Sequence, residues 1–190
     1  RFDVDPFVLA HDEVCYVGEP IALVVAPSRA IAEDAIALIG LDIEPLPAVV
    51  DPVAGLDIEA PRARLDCPDN HVARTGIDFG DADAQFAAAP HVIKERFRFS
   101  KGGGHSIEPR GVVAIPDPVE NKLTVWDSTQ MPHRARAILV AALGLTESQV
   151  RVAAPDVGGG FGPKAVFHCE ELAIPAAALL LKRPIKWVED

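Results

Sequence analysis

Val150-Arg151-Val152-Ala153-Ala154-Pro155-Asp156-Val157-Gly158-Gly159-Gly160-Phe161-Gly162-Pro163-Lys164 is the stretch on which the reading of this chain turns. A β-branched run stops at Pro155-Asp156, a glycine cluster follows, and a long helical pattern begins after Lys164. Three consecutive residues without a Cβ let the backbone take φ > 0 and lie directly against a ligand. A turn that feeds a helix N-terminus also presents free N–H groups, which favour bound anions. The layout is that of a phosphate or oxyanion cradle, preferred here over a plain loop. Two common versions of such a cradle fail. A dinucleotide-binding G-x-G-x-x-G read from Gly158 needs Gly or Ala where Pro163 stands. A P-loop meets the same Pro163, and then Ala165 in place of the hydroxyl that would hold Mg²⁺.

Outward from the loop, strand 150–154 is preceded by a helix opened by Pro132 and ended by Gly144. Ala135, Ile138, Leu139, Ala142 and Leu143 lie on one side of it. Strands at 112–116 and 123–128 flank Asn121-Lys122 as a hairpin, and 91–100 alternates as a further strand. A helix from about Phe167 to Leu181 follows the loop, with Pro175 expected to kink it. This half alternates β and α elements, with its glycine loop at a strand-to-helix junction, where open α/β sheets bind ligands. Nearer the start, 21–26 reads as a buried strand, Ser28 as the N-cap of a helix to about Ile39, and 41–44 as a second strand. Residues 45–90 are rich in Pro, Asp and Gly and read mostly as a connection.

The 190 residues are 49% hydrophobic, enough for a core, and the net charge of −10 argues against a nucleic-acid or anionic-membrane partner. No apolar run suits a membrane span and no signal peptide opens the chain, so a cytoplasmic protein is the simplest reading. Cys15, Cys67 and Cys169 form no C-x-x-C pair, and there is no H-E-x-x-H. A zinc or Fe–S site built by this chain alone is therefore not expected. His168-Cys169-Glu170-Glu171 carries ligand atoms, but neighbours on a helix point in different directions.

The loop resembles G-G-G-F-G-x-K of the molybdenum-binding large subunits of the xanthine dehydrogenase, aldehyde oxidase and carbon monoxide dehydrogenase family. Five further segments resemble that family in the same order. They are Val17–Ala26 (V-G-E-P-x-A-x-V-V-A), Ala32–Ala35 with Glu44–Asp51, Ile107–Ala114 (M-E-P-R-G-x-V-A), Ser128–His133 (S-T-Q-x-P-H) and Arg183–Asp190 (R-P-V-K-W-x-E-D). The resemblance implies an α/β protein: a small hammerhead-like domain (1–55), an interdomain linker (56–90) and the first part of a mixed-sheet molybdopterin-binding domain (91–190).

By the same resemblance the cofactor is a molybdopterin-type molybdenum group, in the cytosine dinucleotide form for a bacterial member. The reaction is oxidation of an aldehyde, N-heterocycle or CO-like substrate with oxygen from water. Gly159, Gly160, Phe161, Gly162 and Gln130 become the expected cofactor contacts. Fe–S and FAD groups belong to partner subunits or domains: an Fe–S small subunit, an FAD medium subunit, or the rest of the large subunit. No residue of this chain is expected to be catalytic or to bind metal, because the family's glutamate base falls beyond the equivalent of Asp190. The isolated chain is expected neither to retain molybdenum nor to turn over.

The individual residues leave alternatives open. Phe161 walls the pocket or is an ordinary core aromatic; Lys164 meets negative charge near the loop or is exposed. Gln130 bonds the cofactor or closes its own turn. Glu108 and Arg110 form a buried ion pair, the favoured reading, or Glu108 lies near the cofactor. Gly102-Gly103-Gly104-His105 brings backbone to the cofactor or is a plain loop. Gly102 stands where xanthine-type enzymes carry a glutamine, and Ala165 where purine-oxidising members carry a glutamate, so purine oxidation is disfavoured. A catalytically inactive pterin-binding or subunit-interaction fragment is the main alternative, and a nucleotide-binding α/β domain a weaker one.

Overall fold

The computed structural model describes residues 7–77, 79–99 and 102–190. Contacts divide these into two compact units, one drawn from 46–102 and the other from 7–45 together with 103–190.

In the second unit, four strands form a mixed sheet in the order β3-β2-β1-β4. Strands β1 (Gly111–Asp117) and β2 (Lys122–Asp127) are antiparallel. Their turn is closed by Asn121 at φ 52 and by the Asp117 carboxylate, which accepts from the Val119 and Glu120 amides. Helix α3 (Pro132–Leu143) carries the chain from β2 to β3 (Val150–Ala153), which pairs parallel to β2. Pro132 opens α3, and Gly144, left-handed at φ 65, closes it. Helix α4 (Cys169–Leu181) then crosses back to β4 (Ile185–Val188), antiparallel to β1. Pro175 lies inside α4 and is buried, so the helix runs through it.

The core follows from period two in the strands and 3.6 in the helices. Val112 and Ala114, Leu123 and Val125, Val150 and Ile185 present one sheet face, covered by Leu139 of α3 and by Ile174 and Ala178 of α4. The same periodicity places Asp127, one step beyond Val125, on this apolar face, and Glu171 one turn before Ile174 on the buried stripe of α4.

Helix α1 (Arg29–Ile36) is capped by the Ser28 hydroxyl, which accepts from the Ile31 amide. Its apolar stripe is open, Ile31 and Ile36 being more than half exposed. Residues 21–26 and 41–44 form no ladder, although Leu23 packs against the core. A strand needs a neighbour for its N–H and C=O groups, and among the described residues none forms a ladder with these segments.

In the other unit, 91–99 also forms no ladder, and Ile93, Phe97 and Phe99 are exposed; Ser100 of the expected strand lies outside the described residues. The stretch read as connection holds a 3-10 turn at Ala54–Leu56 and helix α2 (Ala82–Ala88), capped by the Asp81 side chain. The Asn70 carboxamide ties this region together by donating to the Gly55 and Pro61 carbonyls.

Candidate functional site

Sheet topology gathers the sequence motifs at one end of the sheet. Because β2 and β3 are parallel, Ser128-Thr129-Gln130 and the glycine loop both leave from C-terminal strand ends, with Trp126 beside Ala153. Because β1 is antiparallel to β2 and β4, residues 106–110 enter at this same end and Glu189 leaves there, with Val112 opposite Asp127 and Gly111 opposite Val188. Motifs eighty residues apart thereby become neighbours.

The glycine loop is held from beneath by Gln130 and Lys164. The Gln130 amide donates to the Lys164 carbonyl at 2.8 Å, and the Thr129 hydroxyl donates to that oxygen at 3.2 Å. In return the Gln130 Oε1 accepts from the Gly162 amide at 3.1 Å. Two glycines are required by this geometry. Gly162 sits at φ 100, a region L-residues rarely enter, and a Cβ on Gly160 would run into the Gln130 carboxamide. Phe161 takes φ 48 between them, an uncommon state for a bulky residue, and the residue is 70% exposed. Phe161 is therefore not a core aromatic. Gly104, from the other glycine cluster, packs so close that a Cβ there would lie 2.7 Å from the Phe161 Cβ; His105 is exposed.

The ion pairs differ from the favoured sequence reading. Glu108 does not pair with Arg110. Its Oε2 accepts from Lys164 Nζ at 2.8 Å and from the Gly158 amide. Lys164 is 2% exposed and meets negative charge beside the loop, but that charge is the protein's own Glu108 carboxylate, so the exposed reading is not met. The hydrogen bond from Lys164, then that from the Gly158 amide, holds the Glu108 carboxyl below its ordinary range. Arg110 instead reaches Glu189 through Nε at 3.0 Å and Nη2 at 2.7 Å, and Glu170 through Nη1 at 3.1 Å, with its guanidinium 5.3 Å from the Trp187 ring centre. The motif spacing of E-P-R explains the divergence, since Pro109 separates two side chains that serve different strand ends.

Of the expected contacts, Gly159, Gly160, Phe161, Gly162 and Gln130 all lie on this one loop-and-turn assembly, but not all keep a free donor. The Gly159 amide donates to the Val157 carbonyl at 2.9 Å, and the Gly162 amide is taken by Gln130. The Gly160 and Phe161 amides, and the NH₂ of the Gln130 carboxamide, meet no acceptor among the described residues. Three donors thus remain for a guest with oxygen or nitrogen acceptors.

One cluster went unread in the sequence. Asp127 (4% exposed) and Glu171 (5% exposed) are buried together beneath the N-terminus of α4 and hydrogen-bond to each other. Burial pushes both carboxyls up, Glu171 to about 8. Only the spacing of His168 and Glu171, three apart at a helix start, could have hinted at it.

Residues 64–190 match the family described as Molybdopterin cofactor-binding domain. Over 96% of its length the chain is 45% identical to the nicotine 6-hydroxylase large subunit of Paenarthrobacter nicotinovorans and 37% identical to the carbon monoxide dehydrogenase large chain of Afipia carboxidovorans. It covers 22% and 24% of those proteins, about a quarter of the length of such relatives. Among solved structures, quinoline 2-oxidoreductase from Pseudomonas putida 86 matches the whole chain with a TM-score of 0.86 at 38% identity, the chain covering 25% of it. A glycine loop with two unclaimed amides, set at the strand ends beside an S-T-Q turn, and these likenesses together place the chain in the molybdopterin cofactor-binding family of molybdenum hydroxylase large subunits.

Proposed function

We propose that this chain supplies one gripping wall of the molybdenum cofactor in a hydroxylase that inserts water-derived oxygen into an aromatic N-heterocycle. The observation that carries it is the trio of unclaimed donors at Gly160, Phe161 and Gln130. A molybdopterin group is anionic and rich in acceptors, so those donors fit it, and the missing Cβ at Gly160 lets the Gln130 carboxamide sit against the loop beside them. Lys164 supplies no attraction of its own, because Glu108 neutralises it; the pull on an anion comes from fixed amide dipoles. The N-heterocycle is favoured over the aldehyde and CO-like classes by the nicotine- and quinoline-oxidising relatives; Ala165, in place of a purine-binding glutamate, disfavours only purines.

When bound, the cofactor supplies the two-electron oxidation of the substrate carbon. The chain's own residues orient it. Gln130 donates through its NH₂ while its carbonyl steadies Gly162, and the exposed Phe161 ring shields the adjoining space from water. The cytosine dinucleotide form of the cofactor is the expected one. An Fe–S small subunit and an FAD medium subunit, or equivalent domains, are the expected electron acceptors.

The test is molybdenum and pterin content of purified large subunit carrying this sequence, unsubstituted and as Gly160→Ala. One pterin per chain, falling at least tenfold in the variant while far-UV circular dichroism is retained, supports the reading. Undiminished pterin in Gly160→Ala refutes the loop's role, and bound pterin without oxidation of any heterocycle, aldehyde or CO selects the inactive pterin-binding alternative.

A further inference from the structure

The buried carboxyl pair lies outside the cofactor-facing donors, yet it connects to the loop that carries them. Asp127 ends β2 on the apolar sheet face, and Glu171, in the first turn of α4, is buried with it within hydrogen-bonding reach. Two carboxyl groups can hydrogen-bond to each other only if one carries a proton. Glu171 Oε2 also accepts from the His168 amide. The His168 ring places Nε2 2.9 Å from the Pro163 carbonyl, and since a carbonyl can only accept, that nitrogen bears the hydrogen. A continuous path therefore runs from the sheet end through α4 to the descending limb of the glycine loop.

We propose that Asp127 and Glu171 share a single proton, and that this proton fastens residues 160–168 by holding Glu171 where it anchors His168, and His168 where it anchors Pro163. Asp127 and Glu171 are thus positioning residues: they touch the loop only through His168. The charged and titratable groups facing the pair are Arg110, from the segment ahead of β1, and His168, ahead of α4. Arg110 is already bound by Glu170 and Glu189, so it does not neutralise a second negative charge in the pair. When the shared proton leaves, two carboxylates face each other out of water, and Glu171 is driven from its place.

The sign of the effect follows. Glu171 holds its proton up to about 8 in the folded chain but releases it at its ordinary 4.5 when unfolded. The pair's contribution is complete below that lower value and is lost as pH rises through the upper one. The device works in the chain without cofactor, so it stands or falls separately from the proposed activity.

Hydrogen exchange of the full chain, corrected for the intrinsic pH dependence of amide exchange, reads it directly. Protection across 160–168 is expected to fall about tenfold between pH 7 and pH 9, while the β2 amides keep theirs. Asp127→Asn, and independently Glu171→Gln, replace the shared proton with a permanent N–H donor. Either is expected to hold protection within about twofold over the same range. Equal protection of the unsubstituted loop at both pH values overturns the proposal, as does a tenfold fall that persists in both variants. If neither variant folds, infrared absorption of the unsubstituted chain decides: a protonated-carboxyl band at neutral pH that bleaches by pH 9 upholds it, and no such band refutes it.

Discussion

Arg110→Met is the most informative single perturbation of this fold, because one guanidinium ties three elements at the site end. It reaches Glu189 at the end of β4 with two N–H groups and Glu170 at the start of α4 with another, and lies over Trp187. The Arg110 side chain is 16% exposed, against 27% for Glu170 and 36% for Glu189. Both pairs thus lie between the surface regime, worth about 0–1 kcal/mol, and the buried regime, where breaking a pair costs about 3–5 kcal/mol. We take about 1–1.5 kcal/mol for each pair and about 0.5–1 kcal/mol for the cation–π contact. The expected loss is then about 3 kcal/mol, Met retaining most of the aliphatic packing. The assay is urea unfolding at pH 7, with Glu189→Gln and the double variant completing a cycle; the Arg110–Glu189 coupling should be about 1–2 kcal/mol. A loss below about 0.5 kcal/mol, or a coupling indistinguishable from zero, would show that the cluster is a solvated surface group rather than a clamp.

Two further outcomes follow from the same structure. Leu139→Ala removes a side chain buried between α3, α4 and the sheet, and should cost about 2–5 kcal/mol in urea unfolding, with the m-value unchanged; a cost under 1 kcal/mol would mean the α3 face is not the core. Glu189 is held below its ordinary range, first by the Arg110 hydrogen bond, so its contribution is present above the unfolded value and lost as pH falls through the folded one. Carboxyl NMR titration should therefore find its midpoint under 4.5 in the unsubstituted chain and restored upward in Arg110→Met, and equal midpoints would refute the pairing.

Much of the second unit was legible because its signals are local. Pro132 and Gly144 bracket α3, Asn121 sits at the hairpin turn, and the β-branched run 150–153 precedes the glycines. The segments at 21–26, 41–44 and 91–99 carry strand-like residues but acquire no ladder, since pairing is a property of two segments and not of one. Strand β4 lies inside the Arg183–Asp190 motif, whose sequence was not read as a strand; its pairing comes from β1.

At the site, sequence supplied the residue types and the backbone freedom: a Cβ-free loop, a Gln turn, an E-P-R segment and the family they point to. Which donors stay free was decided by packing alone. Gln130 claims Gly162, Glu108 claims Lys164 and Gly158, and Arg110 turns to Glu170 and Glu189. The Asp127–Glu171 pair exists only because a parallel β2–β3 crossover and an antiparallel β1 bring a strand end under the first turn of α4. Spacing along the chain fixes what each side chain can offer. Charge partners are chosen among residues 40 to 80 positions away, so they wait on the tertiary structure.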